Sequence, residues 1–177
     1  MRKHRTLLCI LIGLFAFPAL ARAETTACDL LTKADVEDVT GMQVTRTKVE
    51  DLSLCAGVCE TTTGSRCAYI GTLAGASHTT YLDVELPPYM QSDLLGMWRR
   101  IAKEDKGQHT TEMQIMGRPA FWTFDRDYAF LHIFDGDEVH FLIWEGDITR
   151  NDIALQHAQA MAARVYDRYL AAKRTWP

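Results

Sequence analysis

Between Tyr128 and Trp144 the apolar and polar positions do not alternate as they would in a half-buried strand. Phe130, His132 and Phe134 fall on one side of an extended chain, and Ala129, Leu131 and Ile133 on the other. After an Asp135-Gly136 turn signal, Val139, Phe141 and Ile143 alternate with His140, Leu142 and Trp144. Both sides of each strand are mostly apolar. The predicted hairpin therefore belongs inside a sheet covered on both faces, with helices as the cover.

The remaining pattern supplies those parts. Cys28 to Gly41 reads as a short helix, with Thr32 as N-cap, acids in the early turns and Gly41 just past the end. Leu30, Leu31, Val36 and Val39 give it an apolar stripe. Val44 to Val49 is a weak first strand, and Glu50 to Arg66 is loop-like and long for a connection in one domain. Cys67–Leu73 and Thr79–Leu86 read as strands joined by a turn at Gly75-Ala76-Ser77-His78. In the second, Tyr81, Asp83 and Glu85 oppose Leu82, Val84 and Leu86, so one deeply buried face is expected. Pro87-Pro88 ends the sheet. Ser92 caps a helix to about Glu104, with Leu94, Leu95, Trp98 and Ile101 along one side. Met113 and Ile115, then Ala120, Trp122 and Phe124, mark two strands around Gly117-Arg118-Pro119. Asn151 or Thr149 starts a last helix to about Ala172, with Ala154, Ala158, Met161, Val165 and Tyr169 at spacings of three and four. The pattern predicts one α+β domain over residues 24–177, an antiparallel sheet of about six strands with helices on both faces.

Residues 1–23 stand outside that domain. A basic MRKHR precedes the apolar LLCILIGLFAF, and Ala21-Arg22-Ala23 offers a small-x-small cleavage site, the pattern of a cleaved signal peptide. The apolar run falls short of the ~20 residues of a membrane span. Cys28 follows Thr25-Thr26-Ala27 with no leucine, so a lipid anchor is not expected either. The expectation is an exported protein without a stable membrane anchor, in the periplasm first and outside the cell second. Cleavage would remove Arg2, Lys3, Arg5 and Arg22 and no acid from 19 basic and 23 acidic residues, leaving a balance of −8. That charge, without a basic cluster, argues against nucleic acid as a partner.

Four cysteines remain after cleavage: Cys28, Cys55, Cys59 and Cys67. An even number in an exported chain predicts disulfides. Of the three possible pairings, Cys28–Cys67 with Cys55–Cys59 is preferred, although spacing alone does not decide. Those bridges would close loops of about 40 and 5 residues, for roughly 4 and 2 kcal/mol in the chain-entropy account. The rival reading is a thiol redox site at Cys55 and Cys59, with three intervening residues where the thioredoxin type has two.

Three stretches together suggest a family. They are Ala27-Cys28-Asp29-Leu30-Leu31-Thr32 leading to an acidic helix that ends at Gly41, Cys67 opening a strand, and Met116-Gly117-Arg118-Pro119-Ala120-Phe121-Trp122 before the hairpin and a closing alanine-rich helix. The chain resembles an exported bacterial family of unknown function whose members begin with a Cys-x-Leu-Leu-Thr motif and are similar in fold to PsbP, an extrinsic photosystem subunit. The resemblance implies an α/β/α sandwich around an antiparallel sheet and places its bridge on Cys28 and Cys67. It supplies no catalytic residues. Cys55 and Cys59 depart from the family pattern, as does the missing lipid-attachment sequence.

Candidate chemistry is sparse. His132 and His140 would sit opposite each other across a three-residue hairpin loop and be offset across a two-residue one; opposed, they could share a metal. Packing under a helix, with one hydrogen bond each, is the plainer reading. His157 is expected in a packing role. Asp125, Asp127, Asp135, Asp137, Glu138, Glu145 and Asp147 gather at strand ends and read as solvated turn acids, without the calcium-loop spacing. No nucleophile elbow, zinc-protease motif, phosphate-binding glycine loop or dinucleotide fingerprint occurs. The expected role is a non-catalytic, cofactor-free accessory or binding protein of the bacterial envelope, its partner an envelope protein or a small ligand. Pro87, Pro88, Tyr89 and Met90, with the Glu50–Arg66 loop, form the expected contact surface. A metal protein or enzyme using His132 and His140 is the alternative, and a thiol redox factor using Cys55 and Cys59 the second.

Overall fold

The computed structural model describes residues 25–52, 63–86, 93–107, 109–125, 128–136, 139–146 and 150–174. Four helices and seven strands lie among them: α1 Ala27–Leu30, α2 Lys33–Thr40, β1 Gln43–Asp51, β2 Thr63–Leu73, β3 Ala76–Leu86, α3 Leu94–Asp105, β4 Thr110–Ile115, β5 Arg118–Asp125, β6 Tyr128–Asp135, β7 Val139–Gly146 and α4 Asn151–Arg174. The strands form one antiparallel sheet in the order β1-β2-β3-β7-β6-β5-β4. Two meanders, β1–β3 and β4–β7, are thus stitched together by the β3–β7 pairing. The sheet has seven strands where about six were expected.

The two-sided hairpin is the centre of this sheet. Ala129, Leu131, Ile133, Val139, Phe141 and Ile143 are buried in one core with Ala154, Ala158, Met161, Ala162, Val165 and Tyr166 of α4. The alanines let α4 lie close to the strands. Phe121, His132, Phe134 and His140 point the other way and are buried too. There the cover is α3, which packs on β4 and β5 and has no buried residue of its own. Helices therefore lie on both faces, but unequally.

The predicted first helix is two. Thr26 and Thr32 each open a capping box, with Asp29 and Asp35 returning to the cap, and Leu31 is extended between them. Gly41, at φ 71°, ends α2 in the left-handed conformation glycine takes without strain. The predicted turn at 75–78 is shorter, because Ala74-Gly75 alone reverse the chain and Ala76–His78 already pair with β2. The long predicted loop also shrinks, since β1 runs to Asp51 and β2 starts at Thr63. Ser92, Thr149, Tyr89, the Pro87-Pro88 break, the Cys55–Cys59 pair and the signal segment lie outside the described residues.

A cluster of polar bonds ties the N-terminal helices to the sandwich. Cys28 and Cys67 are disulfide-bonded, with Cα atoms 5.0 Å apart. Tyr69 donates its hydroxyl to the Leu31 carbonyl. Asp35, one of the acids in the early turns of α2, is 8% exposed and accepts from Arg168 at 2.6 and 3.0 Å and from Arg164 at 3.3 Å. Arg168 also donates to the Leu30 carbonyl at 2.8 Å. Burial alone would raise the Asp35 pKa; the hydrogen bonds from Arg168 and Thr32 outweigh it and hold the carboxyl well below the usual range.

Replacing Asp35 with Asn should lower unfolding free energy by about 2 kcal/mol, less than for a fully enclosed ion pair because both arginines are partly exposed. Because the folded pKa lies below the unfolded one, the ionic contribution is complete above about pH 4 and fades as pH falls further. Urea unfolding of wild type and Asp35→Asn should show a constant gap from pH 8 to 5 that narrows below pH 4. A gap that ignores pH contradicts the ionic clamp.

Candidate functional site: the aromatic and histidine face

Strand alternation places one set of side chains on the face opposite α4. The cross-strand pairs Tyr81↔Trp144 and Phe130↔Trp144 form a row across β3, β7 and β6. One step along, the row runs Arg66↔Asp83, Leu142, His132 and Phe121. The next brings His140 opposite Phe134. Rings thus fill the middle of this face in register order.

Tyr81 and Trp144 stack at 4.2 Å between centroids with planes 8° apart. Phe130 follows at 6.4 Å from Trp144, and Tyr128 at 5.0 Å from Phe130. Gly146 makes room for the stack: an added Cβ would lie 2.5 Å from Trp144 Cη2. Tyr81, Phe130 and Trp144 are half-buried, and Tyr128 is exposed. At the Tyr81 end, Arg66 holds buried Asp83 through two bonds of 2.7 Å and sets its guanidinium 4.9 Å from the Tyr81 ring centre. Burial raises the Tyr81 pKa, and the Arg66 charge partly offsets this. The result is a shelf of ring faces with a bidentate ion pair at one end.

The histidines meet, though not in the expected register. Asp135 pairs with Val139, leaving three residues in the turn, and this sets His132 against Leu142 and His140 against Phe134. The reading that a three-residue loop opposes the two histidines is therefore corrected. That reading needed the loop one residue earlier. As diagonal neighbours they still touch, His132 Nδ1 lying 3.0 Å from His140 Nε2 with ring planes 1° apart. The Trp98 ring centre lies 3.8 Å from that of His132, and Phe134 stacks on His140 at 4.7 Å. Burial first, and His140 second, push the His132 pKa well below its ordinary value. Among the described residues no group of three or more His, Cys, Asp or Glu is placed to hold a metal.

A second polar cluster escaped sequence reasoning. Glu145, expected among the solvated turn acids, is 1% exposed on the α4 side, with His157 Nδ1 3.3 Å from its Oε2. Burial raises its pKa, and His157 partly offsets this. The signal was present in the alternation, since Val139, Phe141, Ile143 and Glu145 are in phase. His157 is thus a hydrogen-bonding partner, beyond the packing role expected of it. Asp135 is also no free turn acid: Arg118 bonds it at 2.8 Å and Lys173 lies 3.9 Å away. His78, read as a turn residue, is buried in β3. Pro87, Pro88, Tyr89, Met90, Cys55 and Cys59 are outside the described residues.

The fold defines an α+β protein built on one antiparallel sheet with helices. No protein-family model matches the chain, and no curated protein or solved structure matches it. No helix among the described residues is long and apolar enough to cross a membrane.

A buried neutral histidine gives a pH signature of definite sign. The folded form holds His132 unprotonated, so its contribution is complete above about pH 6.5 and is lost as pH falls, when the unfolded chain takes up the proton first. The stability of wild type relative to His132→Phe should fall between pH 7.5 and 5.5, by up to about 1.4 kcal/mol per pH unit. Parallel pH profiles for the two proteins would contradict the assignment.

Proposed function

We propose that this is a non-catalytic, exported accessory protein of the bacterial envelope, which binds its partner through the Tyr81–Trp144–Phe130 shelf. The observation that carries the reading is an ordered row of half-exposed rings in the middle of a sheet, on the face where, among the described residues, α3 packs mainly against β4 and β5 and reaches β6 through Trp98. Large, rigid rings gain contact area at little entropic cost, and Trp and Tyr anchor interfaces for that reason. What the shelf presents is apolar ring surface beside a satisfied ion pair, which suits recognition rather than bond-breaking.

The signal-like N-terminus and the Cys28–Cys67 bridge support export, with the periplasm as the first compartment and the extracellular space as the second. The resemblance to the Cys-x-Leu-Leu-Thr family and its PsbP-like sandwich belongs to the same proposal. The helices on both sides of an antiparallel sheet are compatible with it. An envelope protein is the preferred partner, a small ligand the second.

A photo-crosslinking residue at position 144, compared with one at the exposed position 163 on α4, tests this in cells. Position 144 should give a recurrent envelope-protein adduct and position 163 should not. Gly146→Ala, which displaces the Trp144 ring, should reduce binding of the captured partner at least tenfold while leaving the thermal transition cooperative. Equal adducts from both positions, or undiminished binding by Gly146→Ala, would contradict the assignment.

A further inference from the structure

Strand β1 ends the sheet on one side, and among the described residues it pairs with β2 alone. The Leu52 amide donates to the Gly64 carbonyl at 3.0 Å, one step beyond the Asp51↔Ser65 pair. Antiparallel pairs alternate in this respect, so Lys48, Glu50 and Leu52 turn their N–H and C=O groups toward β2, and Thr47 and Val49 turn theirs away from the sheet. Val49 is also 54% exposed, the most open large apolar side chain among the described residues.

Proteins commonly blunt such an edge with lysines and bulges. Both devices are present: Lys48 on the edge, and a bulge between Val44 and Arg46. Lys48, however, has Glu50 beside it on the same face of the strand, 2.6 Å away. That order of charges lets the strand complement itself. The pleat restricts a twofold antiparallel pair of β1 strands to registers centred on one residue, because opposed side chains must share a face. With Thr47 at the axis, Arg46 of one copy meets Lys48 of the other. With Lys48 or Glu50 there, like charges meet at the centre. With Val49 at the axis, Lys48 stands opposite Glu50 of the second copy on both sides, and the two valines cover each other. Opposite charges facing across strands stabilise a pair, and like charges destabilise it. The same register suits the backbone, since each outward-pointing Val49 N–H can donate to the other copy's Val49 carbonyl.

We propose that β1 pairs with β1 of a second copy in the register centred on Val49, joining two seven-stranded sheets into one. Lys48 and Glu50 of the two copies form a ring of alternating charge around the paired valines. The lysine that blocks other registers thus selects this one. The twofold axis stands perpendicular to the sheet, so both Tyr81–Trp144–Phe130 rows lie on one side of the joined sheet and both α4 helices on the other. The pairing is separate from that row, and its success or failure is independent of the partner-binding role.

The test is sedimentation equilibrium of the purified full chain with its disulfides intact. Wild type should show a reversible monomer–dimer equilibrium. Lys48→Glu and Glu50→Lys each set like charges opposite one another and should weaken self-association at least about tenfold. An equimolar mixture of the two variants restores both attractive pairs and should dimerise as strongly as wild type. In the wild-type dimer the Val49 amide should exchange with solvent more slowly than in the monomer. Both substitutions are at partly exposed side chains, so the variants should keep the wild-type thermal transition. A wild type that stays monomeric, single variants that associate as wild type does, or a mixture that recovers no association would each overturn the proposal.

Discussion

The two central strands, β6 and β7, carry large apolar side chains on both faces, and no single layer of helices can remove both sets from water. Burying apolar surface is favourable by about 25 cal/mol per Å², so a hairpin of this composition is unstable until each face is covered. The second half of the chain meets the first demand with α4, whose alanines bring its backbone close to Leu131, Ile133 and Phe141. Among the described residues the second demand is met only in part. α3 lies toward the β4 edge and reaches the centre through Trp98. Beyond Trp98 the rings cover one another, and that self-made cover is the shelf to which we assign recognition.

The position of α4 depends in turn on polar contacts far from the hairpin. Arg164 and Arg168 reach across to Asp35, and Arg168 also reaches the Leu30 carbonyl, while the Cys28–Cys67 bridge and the Tyr69 hydroxyl bind the same N-terminal segment to β2. The chain's beginning and end are thereby locked together over the sheet. The disulfide limits the unfolded chain, whereas the Asp35 cluster acts in the folded state. These contacts fix α4, and with it the register of the α4-facing core.

Much of this was legible in the chain. Alternation through 128–144 separated Phe130, His132 and Phe134 from Leu131 and Ile133, and His140 and Trp144 from Phe141, as the sheet does, and Thr32 and Gly41 bounded α2 as their capping chemistry requires. What escaped is three-dimensional. Asp35 has the position of an ordinary helix-start acid, and only folding brings two arginines to it from well over a hundred residues away. Glu145 sits at a strand end, where acids are commonly solvated, yet its phase with Ile143 carried it inward. The histidine contact turned on a one-residue difference in where the turn begins, which no local pattern sets. The shelf depends on Gly146 being small enough for the Trp144 ring, a relation between a residue and its second neighbour on the same face.

The central claim is that the Tyr81–Trp144–Phe130 row is open in the isolated protein and covered in its native compartment. Hydroxyl-radical footprinting of the purified protein and of intact cells measures this directly. The account predicts that Tyr81, Tyr128 and Trp144 are oxidised readily in the purified chain and protected in cells, while exposed positions on α4 react equally in both. Equal oxidation of the row in the two settings would contradict it.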